Sequence, residues 1–491
     1  MKSLQRWSLV LLASALLAPL AACGEDDPEP TPMNTNNGTN NGDNNGANNG
    51  DNNGDNNGVN NGVNNGTNNG VNNGANNGVN NGVNNGANNG DNNGEVTLQE
   101  QCEMACAGLA ECAPLIDACG AELVSGLGVQ CSATCADEAN ANSILLIAGL
   151  GCDGATALII ESFDLAESCP GVEACAPLET DYVAGADDMW GACISDNGEW
   201  NRFQETISTA GRLAAFEQIA DLLWRGDAPS GEDFLSAREL YAVDQGLDSR
   251  VTRREDEHLP PVSDGMGGTL SCRDEGVPAM DPARCVGPAQ MAPLLNDAFR
   301  EGALGNDPAL NAAQIEATLL WFLYLSTHKE AVTCTQVTND CDSSYAYYTG
   351  DQPREGGLGL AAYLRAVAPD THDRVWDGLL AVRCWRDLDN GEEATDLALR
   401  DRAIGQLDRA LLHGVARVVL ARVLQMELNQ GAAKEADWRF IQILGAALDR
   451  EAGVRDPDAA AVLAAQWAKE DPAQVDPGAI IAALLNTFQC N

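Results

Sequence analysis

Lysine is nearly missing from this chain: among 491 residues it stands only at Lys2, Lys329, Lys434 and Lys469. Arginine does not make up the deficit, since Lys and Arg together number 28 against 72 Asp and Glu, a formal net charge of -44. So few cations argue against nucleic acid as a partner, because that affinity comes from neutralised phosphates. They argue equally against electrostatic docking on an anionic bilayer. Cations are the natural counter-ions of such a surface, and the acidity also favours solubility. Aromatic residues are scarce at 5%, and there are four histidines. The metalloprotease pattern H-E-x-x-H, the nucleophile elbow G-x-S-x-G and the phosphate-binding P-loop are all missing. No constellation of an enzyme stands out, and no alternating strand pattern is present.

What is there begins at the N-terminus. Lys2 and Arg6 precede residues 7–22, which are apolar but for two serines. The run is short and early for a membrane span and has the form of a signal peptide. It ends Leu20-Ala21-Ala22-Cys23, which resembles the bacterial lipobox. The resemblance implies that residues 1–22 are removed, that the Cys23 sulfur carries diacylglycerol and that its amine is acylated. Membrane lipid is then the first expected partner, since several acyl chains together hold a protein that one chain would not. In such lipoproteins an Asp after the cysteine marks inner-membrane retention. Gly24 stands there, so the expected location is the outer membrane.

Residues 23–34 form an acidic, proline-bearing spacer. From Thr35 to Gly94 the chain then repeats x-Asn-Asn-Gly fifteen times, with Thr, Asp, Ala or Val at the variable place. Asn and Gly tolerate left-handed backbone and disfavour helix and strand, and nothing here can be buried to offset chain entropy. Residues 35–94 therefore read as a disordered stalk with a root-mean-square span of roughly 45 Å.

Cysteine divides the rest. Seventeen are present, and removing Cys23 leaves an even sixteen, the count expected of disulfides in an exported protein. Ten fall between Cys102 and Cys193, six between Cys272 and Cys490. The C-x3-C spacings of Cys102 with Cys106 and of Cys131 with Cys135 put each pair of sulfurs on one helix face. This is similar to the twin C-x3-C helical hairpin of several unrelated small proteins, in which two antiparallel helices are stapled by two bridges. Residues 95–195 are assigned to such a Cys-rich module, a candidate surface for a protein partner. Elsewhere sequence does not fix connectivity, and the even count in each group motivates a guess at the pairs Cys175–Cys193, Cys272–Cys285, Cys334–Cys341 and Cys384–Cys490. The segment Gly149-Leu150-Gly151-Cys152-Asp153-Gly154 matches a G-x-G-x-x-G pattern, but lies inside the cysteine-rich stretch with no second βαβ unit to support it.

Residues 196–491 carry helical periodicity, with candidate helices over 200–224, 233–251, 311–332, 374–385, 396–428, 436–447, 459–468 and 479–488. Residues 320–325, Leu-Trp-Phe-Leu-Tyr-Leu, are apolar all round and mark a central buried helix. The fold class expected is mainly α: a disulfide-stapled helical module, then an all-α domain, after a long disordered stalk.

Three histidines have structural explanations: His258 in a charged loop, His372 near a helix start among Asp370, Thr371 and Asp373, and His413 off an apolar stripe. Residues 387–393 resemble part of a calcium loop, but Gly391 is one place early for an EF-hand. The segment after the buried helix is the most unusual. His328, just past the apolar run, should leave the core near a helix end whose partial negative charge favours a cation. Closure of a Cys334–Cys341 loop would bring Asp340 and Asp342 back toward it. His328, Glu330, Asp340 and Asp342, with Tyr345 or Tyr348 nearby, thus form a candidate metal site for iron or, through carboxylates alone, calcium. The stretch Tyr345-Ala346-Tyr347-Tyr348-Thr349-Gly350 resembles segments of helical iron-linked extracytoplasmic proteins such as the low-iron-inducible periplasmic proteins of algae. The G-x-H-x-x-E signature of the imelysin proteins is not present. The expectation is a membrane-anchored lipoprotein with a helical domain that binds a metal ion or metal-loaded ligand. The alternative is a structural or protein-interaction lipoprotein with no small-molecule site.

Overall fold

The computed structural model describes residues 97–149, 152, 155, 156, 159, 175–185 and 189–490. The expected signal peptide, Cys23, the spacer and the Asn-Asn-Gly repeat lie outside the described residues, as does most of the glycine pattern at 149–154. The described residues are helical, with no named strand and one isolated antiparallel bridge, Ser263 to Thr269. None of their helices is long and apolar enough to cross a membrane.

The chain divides into two compact units between Thr156 and Ala157. The first contains α1 (Leu98–Ala110), α2 (Ala113–Cys119), α3 (Ala121–Thr134) and α4 (Glu138–Gly149). Helix α1 starts in a capping box: Thr97 Oγ1 accepts from Glu100 N at 3.2 Å, and Glu100 Oε2 accepts from Thr97 N at 2.8 Å. Two of the orphan donors of a helix start are thereby satisfied. Cys102 and Cys106 then lie one turn apart facing Cys135 and Cys131, and the bridges Cys102–Cys135 and Cys106–Cys131 have Cα separations of 5.6 Å each. A third bridge joins Cys112 to Cys152, and Cys119 is disulfide-bonded too. The core under the staples is small: Cys102, Ala105, Cys106, Cys135, Ala141 and Ile144. Crosslinks of this kind stabilise a unit too small for a large core.

The second unit is larger. In chain order it has α5 (Ala210–Leu223), α6 (Gly231–Tyr241), α7 (Asp248–Val251), α8 (Val277–Met280), α9 (Ala292–Ala303), α10 (Pro308–Thr333), α11 (Thr338–Thr349) and α12 (Leu360–Val367). There follow α13 (Pro369–Leu388), α14 (Leu397–Leu428), α15 (Ala432–Ala446), α16 (Asp449–Arg455), α17 (Pro457–Trp467) and α18 (Pro477–Thr487). Helix α10 is the central one, buried without interruption from Asn311 to His328, and packs against α9, α11 and α15. Helices α13 and α14 form the other main pair. Because α10 has no solvent face, its Glu316 must be paired inside the protein. It accepts from Tyr363 Oη at 2.6 Å and Arg422 Nη2 at 2.7 Å, and Arg422 also reaches Asp437 at 3.2 Å and lies over the Phe440 ring.

Several expectations are corrected here. The cysteine pairs Cys175–Cys193 and Cys384–Cys490 do not form: Cys175 joins Cys490 and Cys193 joins Cys384, with Cα separations of 5.1 and 5.4 Å. Cys272–Cys285 and Cys334–Cys341 are present. The boundary placed at 195/196 moves accordingly. Residues 175–195 belong with the larger unit, because both bridges end in it and Tyr182 exchanges two hydrogen bonds with the Gln406 side chain on α14, at 2.8 and 2.9 Å. The candidate helix at 200–224 begins only at Ala210, because Phe203 and Gln204 give their N–H groups to Asp342 instead of to a helix ladder. The one at 233–251 breaks at 242–247, where Gln245 adopts φ 58°.

Candidate metal centre

The loop from Arg254 to Leu259 is irregular but tightly held. Arg284 is buried, and its Nη1 donates to the carbonyls of Asp256 at 2.6 Å and Leu259 at 2.8 Å. Its Nη2 reaches Glu255 and Glu257 at 2.9 and 3.0 Å, and its own carbonyl accepts from Asp256 N at 2.8 Å. The adjacent Cys272–Cys285 bridge anchors this clamp in a satellite core with Val262 and Val277. The effect is to fix the backbone on both sides of His258.

His258 lies between two carboxylates. Nδ1–H donates to Asp256 Oδ1 at 2.5 Å, and Nε2 faces Asp408 Oδ1, on α14, at 3.0 Å. The His258 backbone N–H also donates to Asp256, at 3.0 Å. The imidazole of His328, from α10, stacks on that of His258 with centroids 3.7 Å apart and planes 13° apart. Tyr324, one turn earlier on α10, donates its hydroxyl to Asp408 at 3.4 Å. Arg450 on α16 approaches Asp256 at 3.8 Å and pairs with Glu451 at 2.8 Å. Ligand atoms of His258, His328 and Asp408 all lie within 4.8 Å of one another. His328 Nδ1 is buried with no hydrogen-bond partner, and an imidazole nitrogen in that state costs free energy unless something binds it.

The charges follow from this geometry. Burial alone would depress His258, but its hydrogen bonds to Asp256 and Asp408, with their charges, push it up to about 9. Burial, reinforced by the charge of His258, takes His328 down to about 4 in spite of Asp408. Burial would raise Asp408, yet His328 and His258 hold it at about 2. Burial, before any charge, keeps the Tyr324 hydroxyl well above the ordinary phenol range. In neutral solution the centre therefore holds an imidazolium between two carboxylates, beside a neutral imidazole with a free lone pair.

The four residues expected to form one site are separated. His328 is not at a helix end: α10 continues to Thr333, and His328 remains 5% exposed in the core. Glu330 is turned to Lys329 and Arg254, at 3.2 and 3.6 Å. Asp340 lies in the field of Glu330, and burial, then that charge, raise its carboxyl. Asp342 faces away and accepts three hydrogen bonds, from Trp200 Nε1 at 3.1 Å and from the backbone of Phe203 and Gln204 at 2.9 and 3.0 Å. Tyr345 and Tyr348 are engaged elsewhere, with the Gln352 carbonyl and with His372. Residues 387–393 are no calcium loop: Arg386 draws in the carbonyls of Asp389, Gly391 and Glu392, and the Asp389 carboxylate caps Thr395 and Asp396. His413 is buried and its Nδ1–H donates to the Phe488 carbonyl at 2.5 Å.

Sequence reasoning set His258 aside as a loop residue and passed over Asp256 and Asp408. The short spacing Asp256-x-His258 was the one local signal, since a carboxylate two residues from a histidine can orient it. Two further groupings of potential ligands, Cys102 with Cys106 and Cys135, and Cys175 with His413 and Cys490, consist mainly of disulfide-bonded sulfurs, which offer no thiolate. Compared with protein-family models, with curated proteins and with solved structures, the chain matches none.

Proposed function

We propose that this chain is a membrane-anchored extracytoplasmic lipoprotein that presents a cation-binding helical domain at the end of a long spacer. The observation that carries the binding function is the convergence of His258, His328 and Asp408 on one small volume in which His328 Nδ1 has no partner. Two imidazoles and a carboxylate from three distant segments form a ligand set that core packing does not require. The anchoring half rests on the Leu20-Ala21-Ala22-Cys23 box, with membrane lipid as partner and the outer membrane as the proposed location. It agrees with the disulfides at Cys102, Cys106, Cys112, Cys175, Cys193, Cys272 and Cys334, which persist only in an oxidising compartment. The rival, a structural or protein-interaction lipoprotein, is favoured by the separate stapled unit, which contains no histidine.

Both halves can be tested on the full-length protein. Cys23→Ser should release the protein from the membrane fraction and remove the lipid mass. Retention with unchanged mass would end the anchor. Calorimetry with zinc, ferrous, ferric, calcium and magnesium ions should show binding of at least one cation tighter than about 10⁻⁴ M, the weak end for extracellular calcium modules, and loss of it in His258→Ala with Asp408→Ala. No binding by the wild type would end the cation reading.

A further inference from the structure

The cation reading leaves the kind of ion open, and the donor set narrows it. Calcium takes six to eight oxygens, and magnesium an octahedron of oxygens and waters. The volume between His258, His328 and Asp408 offers one carboxylate and two imidazoles, a set that suits a first-row transition ion. Ferric iron would favour a phenolate. Tyr324 is the tyrosine that touches the centre, and its hydroxyl donates to Asp408 at 3.4 Å. Tyr345 and Tyr348 donate elsewhere.

Resting on the cation reading, we infer that the ion is zinc(II) or a divalent ion of the same preference, held by Nε2 of His258, a ring nitrogen of His328 and one oxygen of Asp408, with Asp256 as the outer carboxylate that orients His258. Three features of the geometry support this. Nδ1–H of His258 is committed to Asp256 at 2.5 Å, so Nε2 is the nitrogen that faces Asp408, and the ion takes the place of its proton, which leaves to solvent. That is the carboxylate–histidine arrangement that fixes the tautomer of a ligand and raises its basicity. The rings stack at 3.7 Å and a nitrogen of each lies within 4.8 Å of the other and of an Asp408 oxygen, so an ion would bind both by turning the rings out of the stack. Three protein ligands on zinc leave a fourth position open. Solvent reaches the centre at its carboxylates, since the side chains of Asp408 and Asp256 are 17% and 14% exposed against 8% for His258.

Asp256 touches no ion in this arrangement and is a positioning residue. Its removal should weaken zinc by about 10- to 100-fold without abolishing it, whereas loss of His258 or His328 should abolish it. The experiment is competition on the full-length protein, purified with its disulfides formed, between zinc and calcium or magnesium. Cobalt(II) serves as the spectroscopic probe. We expect zinc and cobalt to bind and a large excess of calcium or magnesium to leave them in place. The cobalt complex should show the intense visible bands of a four-coordinate site with nitrogen ligands, shifted in His328→Asn and weakly populated in Asp256→Asn. Circular dichroism of each variant separates lost binding from lost folding. Should His258→Ala fail to fold, the wild-type cobalt spectrum and His328→Asn still decide the matter. Calcium binding at the histidines in preference to zinc would overturn the zinc assignment and leave the cation reading standing. Zinc binding unchanged in both His258→Ala and His328→Asn would place the ion on the acidic surface and overturn it. No binding of any of these ions to the wild type would overturn both.

Discussion

Nε2 of His258 lies 3.0 Å from Asp408 Oδ1, a contact that spans 150 residues of chain and joins an irregular loop to α14. Two atoms that both carry lone pairs cannot approach so closely without a proton or a metal ion between them. Each carboxylate beside His258 has a further partner: Tyr324 donates to Asp408 at 3.4 Å, and Arg450 approaches Asp256 at 3.8 Å.

Arg284 is the clamp. It takes hydrogen bonds to the carbonyls of Asp256 and Leu259, either side of His258. Arg284→Met should lower zinc affinity about tenfold or more, although no ligand is altered. Unsatisfied carbonyls should cost the fold about 1–3 kcal/mol. Zinc titration with parallel urea unfolding reads both effects. Unchanged zinc affinity would show that the loop holds His258 without the clamp.

Gly378 on α13 has no room for a side chain: a Cβ would lie 2.6 Å from Leu407 Cα and 2.9 Å from Leu407 N on α14. Gly378→Ala should push α13 and α14 apart and destabilise the larger unit by about 1–3 kcal/mol. Gly405, on α14, would meet nothing within 4 Å. Gly405→Ala should therefore stabilise by about 0.5–1 kcal/mol through helix propensity. Opposite signs in thermal unfolding are the check.

The bridge Cys175–Cys490 closes 315 residues of chain. Loop-closure entropy rises only with the logarithm of length, so Cys175→Ser with Cys490→Ser should cost about 3–5 kcal/mol. The bridge Cys272–Cys285 closes 13 residues, and its loss in Cys272→Ser with Cys285→Ser should cost less, about 2–3 kcal/mol, while loosening the Arg284 clamp. Chemical denaturation of the two double variants should rank them in that order.

Burial pushes the Asp449 carboxyl up to about 6 from 3.8, against the hydrogen bond it accepts from Trp467 Nε1 at 3.0 Å. A carboxyl raised in the folded state favours its protonated form there. Its contribution to stability is thus complete below 3.8 and is lost as pH rises through about 6. Asp449→Asn keeps an acceptor for Trp467 and removes the charge. Asp449 is nevertheless an exposed residue, and screening by solvent reduces the gain in stability to about 0.5–1 kcal/mol at pH 7.5, with none below pH 3.5. A gain that does not depend on pH would refute this account.

Much of the fold was legible locally. The twin C-x3-C spacings predicted the staples of α1 and α3, since two sulfurs one turn apart can meet only a matching pair on an antiparallel neighbour. The all-round apolar run at 320–325 predicted the buried α10. The pairing of the later cysteines was not legible, because neighbours in sequence compete with partners hundreds of residues away and spacing carries no information on which one packing brings near. The candidate site was half legible. His328 was singled out for the right element and placed with the wrong company, because α10 runs one and a half turns past it and keeps it in the core.

The sequence by itself determined the elements whose causes are short-range: the helical periods, the staple of the first unit, the acidic composition, and the expectation of an acylated Cys23 and a polar stalk. Only the tertiary structure decided that Cys175 and Cys193 belong with the larger unit, that Asp342 caps the segment at 203–204, and that His258, His328 and Asp408 converge. Each of those contacts joins segments separated by 70 to 315 residues. Its free energy comes from burial shared over whole helix faces, which no window of sequence contains.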